Sequence, residues 1–379
     1  MTLPPTLPAA APAHAEELLA LYARAGFARV DPPLLQPADA FLDLSGEEMR
    51  RLMYLTTDAE GRELCLRPDL TLPVCRLYLE SGARTPADFA YLGPVFRSNE
   101  PTGEFLQAGV ESFGRADREA ADADLLSLGL ETAALWGIIA PTIRIGDAGL
   151  FAALLDALDL PPGWRRRLVK DFARAGSLGA DLAVLKQRPE GGGVSDHAGV
   201  LSALAGSDPE AAHALVTDLL SIAGISTVGG RTVSEIAERF LEQAASGDAE
   251  GLPAEKVAVL ERYLAIEGDP DAAARALRAL AGDAGLDLSA ALDAFEVRTN
   301  FIAAQGVEVA RLNFAAAFGR PLDYYTGMVF ELHENGGPVP LVAGGRYDGL
   351  LARLGAPEPI PAVGFAVWPA RLDALEARL

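Results

Sequence analysis

Lysine is nearly absent from this chain of 379 residues: Lys170, Lys186 and Lys256 are the only ones. Schiff-base chemistry therefore has few candidate nitrogens. Basic side chains as a whole are scarce, 32 Lys and Arg against 53 Asp and Glu, for a net charge of −21. Acidic residues lead in each third when the chain is split at residues 114 and 300. A fold that grips a polyanion needs a basic footprint, so nucleic-acid binding is disfavoured. Cysteine is equally rare. Cys65 and Cys75 cannot build a disulfide framework, and with four scattered histidines they offer no zinc-ligand spacing. Two buried thiols in a reducing cytosol, and no metal, are expected. Long apolar runs are missing: the strongest, Thr132 to Ala140, is about half of a bilayer span. The N-terminal MTLPPTLPAAAPAH has no Lys or Arg and is broken by prolines, unlike a secretory signal. These absences predict a soluble, cytoplasmic protein with no membrane contact. There is also no GxxxxGK[ST], no strand-borne GxGxxG, no HExxH, no CxxC and no GxSxG, so no cofactor is expected.

What is present is a globular composition, 50% hydrophobic and 22% charged, of a length that suits two domains or one domain with an insertion. EELLALYARAG (16–26) has helical apolar spacing and ends in Gly26, and FARVDPP (27–33) reads as a short strand stopped by prolines. Ser45-Gly46-Glu47-Glu48 has the spacing of a capping box that opens a short helix. Residues 62–79 and 89–114 carry strand-like runs. From Glu119 to about Phe301 the text is Ala/Leu-rich with helical spacing, and EGGGVSDHAG (190–199) reads as a loop. Strand signals return after Asn313, with the turn ENGGPVP between two of them. The pattern predicts one α+β domain interrupted by helices.

Polar residues embedded in the strand-like text carry the chemistry. In LRPDLT (66–71), Arg67, Asp69 and Thr71 alternate and would share one face of a strand. Gln107 and Glu111, four apart in FLQAGVESFG, project to the same side of a strand, and Arg97 follows an apolar pair. RPLDYYTG places Arg320, Asp323, Tyr324 and Tyr325 before an apolar strand, and AGGRYDGL adds Arg346, Tyr347 and Asp348. One such residue is most simply a partner in an internal salt bridge, because an unpaired buried charge is costly. Five clusters of carboxylates, amide, phenols and guanidinium groups fit a pocket for a small zwitterion.

Taken together, these segments resemble the catalytic domain of histidyl-tRNA synthetase, a class II aminoacyl-tRNA synthetase. The likeness runs through GFARVDPP (motif 1), LRPDLT, YLGPVFR with FLQAGVE (motif 2), RPLDYYTG, AGGRYDGL and PAVGFAVWPARL (motif 3). It implies an α+β fold, an antiparallel sheet flanked by helices, in residues 1–150 and 300–379, with a mainly helical insertion over 151–299. It further implies a histidine-binding site. Asp69, Thr71 and Gln107 would receive the α-ammonium, Glu111 with Tyr325 the imidazole, and Arg320 the carboxylate, while Tyr324 and Tyr347 line the walls. The family usually has Glu where Asp69 stands, so the ammonium contact is expected to be longer or water-bridged.

The departures from the synthetase pattern narrow the function. Only SNEPTGE separates Arg97 from Phe105, where the synthetase has a longer Arg-rich loop for ATP and the tRNA acceptor end. In motif 3 Trp368 replaces a small residue, and its indole is expected to fill the adenine cleft. Arg97 and Arg371 keep the register of the motif 2 and motif 3 arginines and stand as candidate anion-binding remnants. Eight residues follow Arg371, so an anticodon-binding domain, a unit of roughly 100 residues, is not expected. In these respects the chain resembles the synthetase-like regulatory subunit of ATP phosphoribosyltransferase. That resemblance implies no catalytic residue in this chain and a short-form catalytic subunit as partner, in a hetero-oligomer of hetero-octamer type. It also implies a homodimer through motif 1, and histidine as allosteric ligand in feedback inhibition of histidine biosynthesis. A truncated synthetase and a free-standing histidine-binding paralogue are the alternatives.

Overall fold

A computed structural model describes residues 13–83, 86–172, 178, 227–228, 231–232, 252–320 and 324–378. The chain opens with helix α1 (Ala15–Arg24), strands β1 (Ala28–Arg29) and β2 (Leu35–Pro37), and helix α2 (Asp39–Leu52). Strands β3 (Leu55–Thr57) and β4 (Glu63–Leu66) lead to α3 (Thr71–Glu80), the long hairpin β5 (Ala87–Phe96) and β6 (Glu104–Phe113), then α4 (Arg118–Ala134) and β7 (Thr142–Asp147). Next come α5 (Ala148–Ala157), α6 (Pro162–Phe172), a two-residue ladder of β8 (Thr227–Val228) with β9 (Arg231–Thr232), and α7 (Ala254–Leu264). The remainder is β10 (Glu267–Gly268), α8 (Pro270–Ala284), α9 (Ser289–Ala304), β11 (Leu312–Ala315), β12 (Met328–His333), β13 (Val342–Arg346), α10 (Leu350–Arg353), β14 (Ala362–Val367) and α11 (Pro369–Glu376). Among the described residues no helix is long and apolar enough to cross a membrane.

Two compact units result. One is built from the described residues up to Ala153 and from Tyr263 onward; the other spans Leu154–Arg262. The first holds a nine-stranded sheet in the order β1-β5-β6-β14-β13-β12-β7-β11-β10. Its six middle strands, β5 to β7 in that order, are antiparallel, and the parallel pairs β1–β5 and β7–β11 make the sheet mixed. Helix α4 covers β12, β13 and β14. It does so because its inner face is small or aliphatic, with Ala121, Ala123, Leu125, Leu126, Leu128 and Gly129 buried. In the second unit, Lys256 Nζ donates to the Asp159 carbonyl at 2.9 Å.

Three local expectations change. LRPDLT is not a strand: β4 stops at Leu66, the chain turns, and Thr71 opens α3. Ser45 does not start a helix, because α2 already begins at Asp39. TIRIGD, within the Ala/Leu-rich text, forms β7, whose β-branched Thr142, Ile143 and Ile145 suit a strand between β12 and β11. Helices α8 and α9, from the same stretch of text, belong to the first unit, where α8 meets β10 and β11 and α9 meets α4. Asp269 caps α8 by accepting from Ala272 N at 2.9 Å, Pro270 follows it, and Gly285 ends the helix in the left-handed conformation. The 190–199 loop, the segments 210–224 and 234–245, and Asp323 lie outside the described residues.

Candidate functional site

The site gathers where β4 hands the chain to α3, beside the β5–β6 hairpin. Arg67 is fully buried and serves the backbone: Nε donates to the Pro94 carbonyl at 2.8 Å and Nη1 to the Pro32 carbonyl. Gly93 leaves it room, since a Cβ there would sit 2.5 Å from Arg67 Nη2. With the turn so fixed, Asp69 accepts from Leu72 N in the first turn of α3 at 3.2 Å, while Gln107 Oε1 of β6 accepts from Leu70 N at 2.9 Å.

Glu111 is the centre. It is buried, with Tyr91 donating to Oε1 at 3.1 Å and Tyr347 donating to Oε2. Two missing side chains make this possible. A Cβ on Gly364, its cross-strand neighbour on β14, would lie 1.7 Å from Glu111 Oε2; one on Gly109 would lie 2.4 Å from the Tyr91 hydroxyl. Burial pushes the Glu111 carboxyl up to about 7, against the pull of the Tyr347, Thr71 and Tyr91 hydroxyls. Burial also raises Asp69, opposed by the Arg97 charge. Cys75 lies in the same field: burial first, then Glu111 and Asp69, hold its thiol well above its ordinary range, so it is no nucleophile.

A second group abuts the first. The rings of Tyr324, Tyr325 and Tyr347 stand 4.8, 5.6 and 6.5 Å apart pairwise. Arg320 Nη1 donates to the Tyr325 hydroxyl at 2.6 Å and Nε to Glu331 at 3.3 Å, and the other Glu331 oxygen meets His333 Nε2 at 3.0 Å. Asp69, Thr71, Gln107, Glu111 and Tyr347 therefore form one cluster, with Tyr324, Tyr325 and Arg320 along its edge. The direct hydrogen-bond partners of Glu111 are Tyr91 and Tyr347, whereas Tyr325 pairs with Arg320. Tyr91 and Glu331 were not singled out in the sequence. The β5–β6 register sets Tyr91 opposite Gly109, the one signal that marks it.

Arg97 and Arg371 are each held by a backbone carbonyl and an aromatic ring. Arg97 Nε donates to the Pro68 carbonyl at 2.8 Å and its guanidinium stands 5.3 Å from the Phe105 ring. Arg371 stacks 4.5 Å from the Trp368 ring and donates to the Pro340 carbonyl at 2.6 Å. Burial lowers the Arg371 pKa, and the Arg97 charge adds to that. The SNEPTGE loop is a tight turn, with Arg97 N donating to Gly103 O at 3.0 Å and Gly103 N to Glu100 O at 2.9 Å. Chemically, the arrangement offers buried acceptors to a cationic or N–H-bearing ligand, guanidinium groups to an anion, and no activated nucleophile.

Known proteins share this architecture. A family profile described as histidyl-tRNA synthetase matches residues 3–207 and 211–372. The ATP phosphoribosyltransferase regulatory subunit of Mesorhizobium japonicum is 43% identical over 369 residues, 96% of this chain and 97% of that protein. The protein of the same name from Brucella canis is 45% identical over 350 residues, 91% of this chain and 92% of its own length. Among solved structures, an ATP phosphoribosyltransferase regulatory subunit/histidyl-tRNA synthetase from Bacillus halodurans superposes with a TM-score of 0.65 at 20% identity, covering 99% of this chain and 83% of that one. A histidyl-tRNA synthetase from a Nostoc species gives 0.65 at 17% identity, covering 100% and 75%. These two share the fold.

Proposed function

The chain belongs to the histidyl-tRNA synthetase-like family of ATP phosphoribosyltransferase regulatory subunits, and on that premise we propose that it binds free histidine and regulates a short-form catalytic subunit. It activates that partner and transmits feedback inhibition by histidine in the first step of histidine biosynthesis, without chemistry of its own. The observation that carries the reading is Glu111, buried and ringed by hydroxyls, with Asp69 and Gln107 on one side and Arg320 with Tyr325 on the other. An imidazole N–H meets the Glu111 carboxylate, the ammonium meets Asp69 and Gln107, and Arg320 faces the ligand carboxylate. Trp368 and the short 98–104 turn depart from the synthetase pattern at the two motifs that serve ATP there, and on that resemblance this chain alone binds no ATP. The subunit pairs with a second copy through the motif 1 region, Leu18 to Pro33, and the exposed Leu34 and Leu35 directly follow it in the chain.

The test is Glu111→Ala in the reconstituted complex. Losing a hydrogen bond to a charged group costs about 1.5–3 kcal/mol. The variant should still assemble and activate, but require at least about ten times more histidine for inhibition. Unchanged histidine sensitivity in a folded Glu111→Ala complex moves the regulatory site elsewhere. Histidine-dependent exchange of pyrophosphate into ATP by the wild-type chain would instead identify a synthetase.

A further inference from the structure

Behind the tyrosine wall lies a buried group of charges that histidine binding does not use. The side chains of Asp122 (α4), Asp147 (β7), Arg298 (α9) and Arg346 (β13) are 2%, 6%, 8% and 6% exposed. Arg346 donates in three directions: Nε to Asp122 at 2.8 Å, Nη1 to Asp348 at 2.9 Å and Nη2 to the Arg118 carbonyl at 2.8 Å. Arg298 lies 3.6 Å from the second Asp122 oxygen and bonds Asp147. Asp147 turns its other oxygen to Gly149 N at 2.8 Å and Leu150 N at 3.0 Å, capping α5. A buried ion network is a weak source of stability, because apolar groups of the same volume often do as well. What it does supply is fixed direction, and here the Arg346 arm leads to the segments that bear Tyr347 and Tyr325.

The geometry points to Arg346 and Asp122 as positioning residues that set the Tyr325 and Tyr347 walls of the ligand pocket. Each tyrosine is one residue from an anchored neighbour. The Arg346 carbonyl accepts from Thr326 N at 2.8 Å, and Asp348 N donates to Thr326 Oγ1 at 2.9 Å, so the segment bearing Tyr325 hangs on the segment bearing Tyr347. The stem of Arg346 covers Gly327, where a Cβ would stand 3.1 Å from its Cδ and 3.2 Å from its Cβ, and the Gly327 carbonyl in turn accepts from Ala148 N at 3.0 Å. On the far side the guanidinium is locked to α4. The Arg346 backbone thus ties the Tyr325 segment to the Tyr347 segment, while its side chain packs on Gly327 and ties both to α4. A lysine, with a single point charge in place of a three-way fork, keeps the first tie but cannot repeat the second.

This inference rests on the histidine reading only for the identity of the ligand, and the experiment separates the two. Full-length wild type, Arg346→Lys and Asp122→Asn are compared by far-UV circular dichroism, amide hydrogen exchange and calorimetric titration with histidine. Both variants should keep the wild-type far-UV spectrum. Exchange should accelerate at least about tenfold at Thr326 and Asp348 but not along β5. Histidine Kd should rise at least about tenfold, a coupling of ordinary size. If Asp122→Asn fails to fold, Arg346→Lys, which keeps a cation opposite Asp122, decides alone. A folded Arg346→Lys with wild-type histidine affinity overturns the proposal. If wild type itself binds no histidine, the ligand reading falls, and unchanged exchange at Thr326 and Asp348 overturns the positioning role independently.

Discussion

A buried carboxyl group that accepts from two phenols sets the residue-scale behaviour of the molecule. Glu111 reaches about 7 through burial, above its ordinary 4.5. The folded state therefore holds this proton more tightly than the unfolded one. Its contribution to stability is full below the unfolded value and is lost as pH rises through about 7, a difference of roughly 3 kcal/mol. Wild type should lose that much between pH 4.5 and pH 8 in urea titrations, and Glu111→Gln should lose correspondingly less; equal pH slopes would count against the assignment. The residues around it were legible to different degrees. Asp69, Thr71, Gln107, Glu111 and Tyr347 stand out as polar groups in apolar text, and the fold brings them together. Tyr91 does not stand out, because a phenol inside FAYLGPVF reads as one more apolar strand residue until the strand register gives it a carboxylate. The pairing of Arg320 with Tyr325 and Glu331 depends on side-chain direction, which periodicity does not carry.

At the scale of elements, two glycines with opposite surroundings make a paired prediction. Gly364 on β14 faces Glu111 and the Val110 carbonyl, which a Cβ would approach to 1.7 and 2.5 Å. Gly364→Ala should cost about 1–3 kcal/mol through overpacking and should abolish histidine binding by displacing the carboxylate. Gly282, inside α8, has open space around a Cβ and an ordinary helical φ. Gly282→Ala should stabilise by about 0.5–1 kcal/mol, leaving histidine affinity unchanged. Thermal melts and titration of the two variants check both signs. Elements with strong local signals were readable: α1, the strands β5 and β6, and β12 with β13 fall where alternation and turn residues put them. β7 was hidden because six residues of TIRIGD sit between helical segments, and the start of α3 was hidden because alternation in LRPDLT mimics a strand.

For the whole molecule, charge and shape act together. At a net charge of −21, self-association needs an apolar face strong enough to offset mutual repulsion. Leu34 and Leu35, directly after the motif 1 region in the chain, are exposed apolar residues that fit the proposed dimer. Leu35→Glu should yield monomers by light scattering at micromolar concentration while the wild type stays dimeric; a wild-type chain that is itself monomeric sinks the idea. One feature of the fold also makes the protein modular. The rings of Phe151 and Tyr263, which flank the points where the chain leaves the first unit and returns to it, have centroids 5.8 Å apart. Because side chains from these two points touch, a flexible glycine-serine linker can join them. Excising residues 154–262 and splicing the ends with such a linker should leave the sheet-bearing unit folded and able to bind histidine. The excised chain would then reveal by subtraction which of the partner's responses reside in the removed segment, turning a question of allostery into one of surgery.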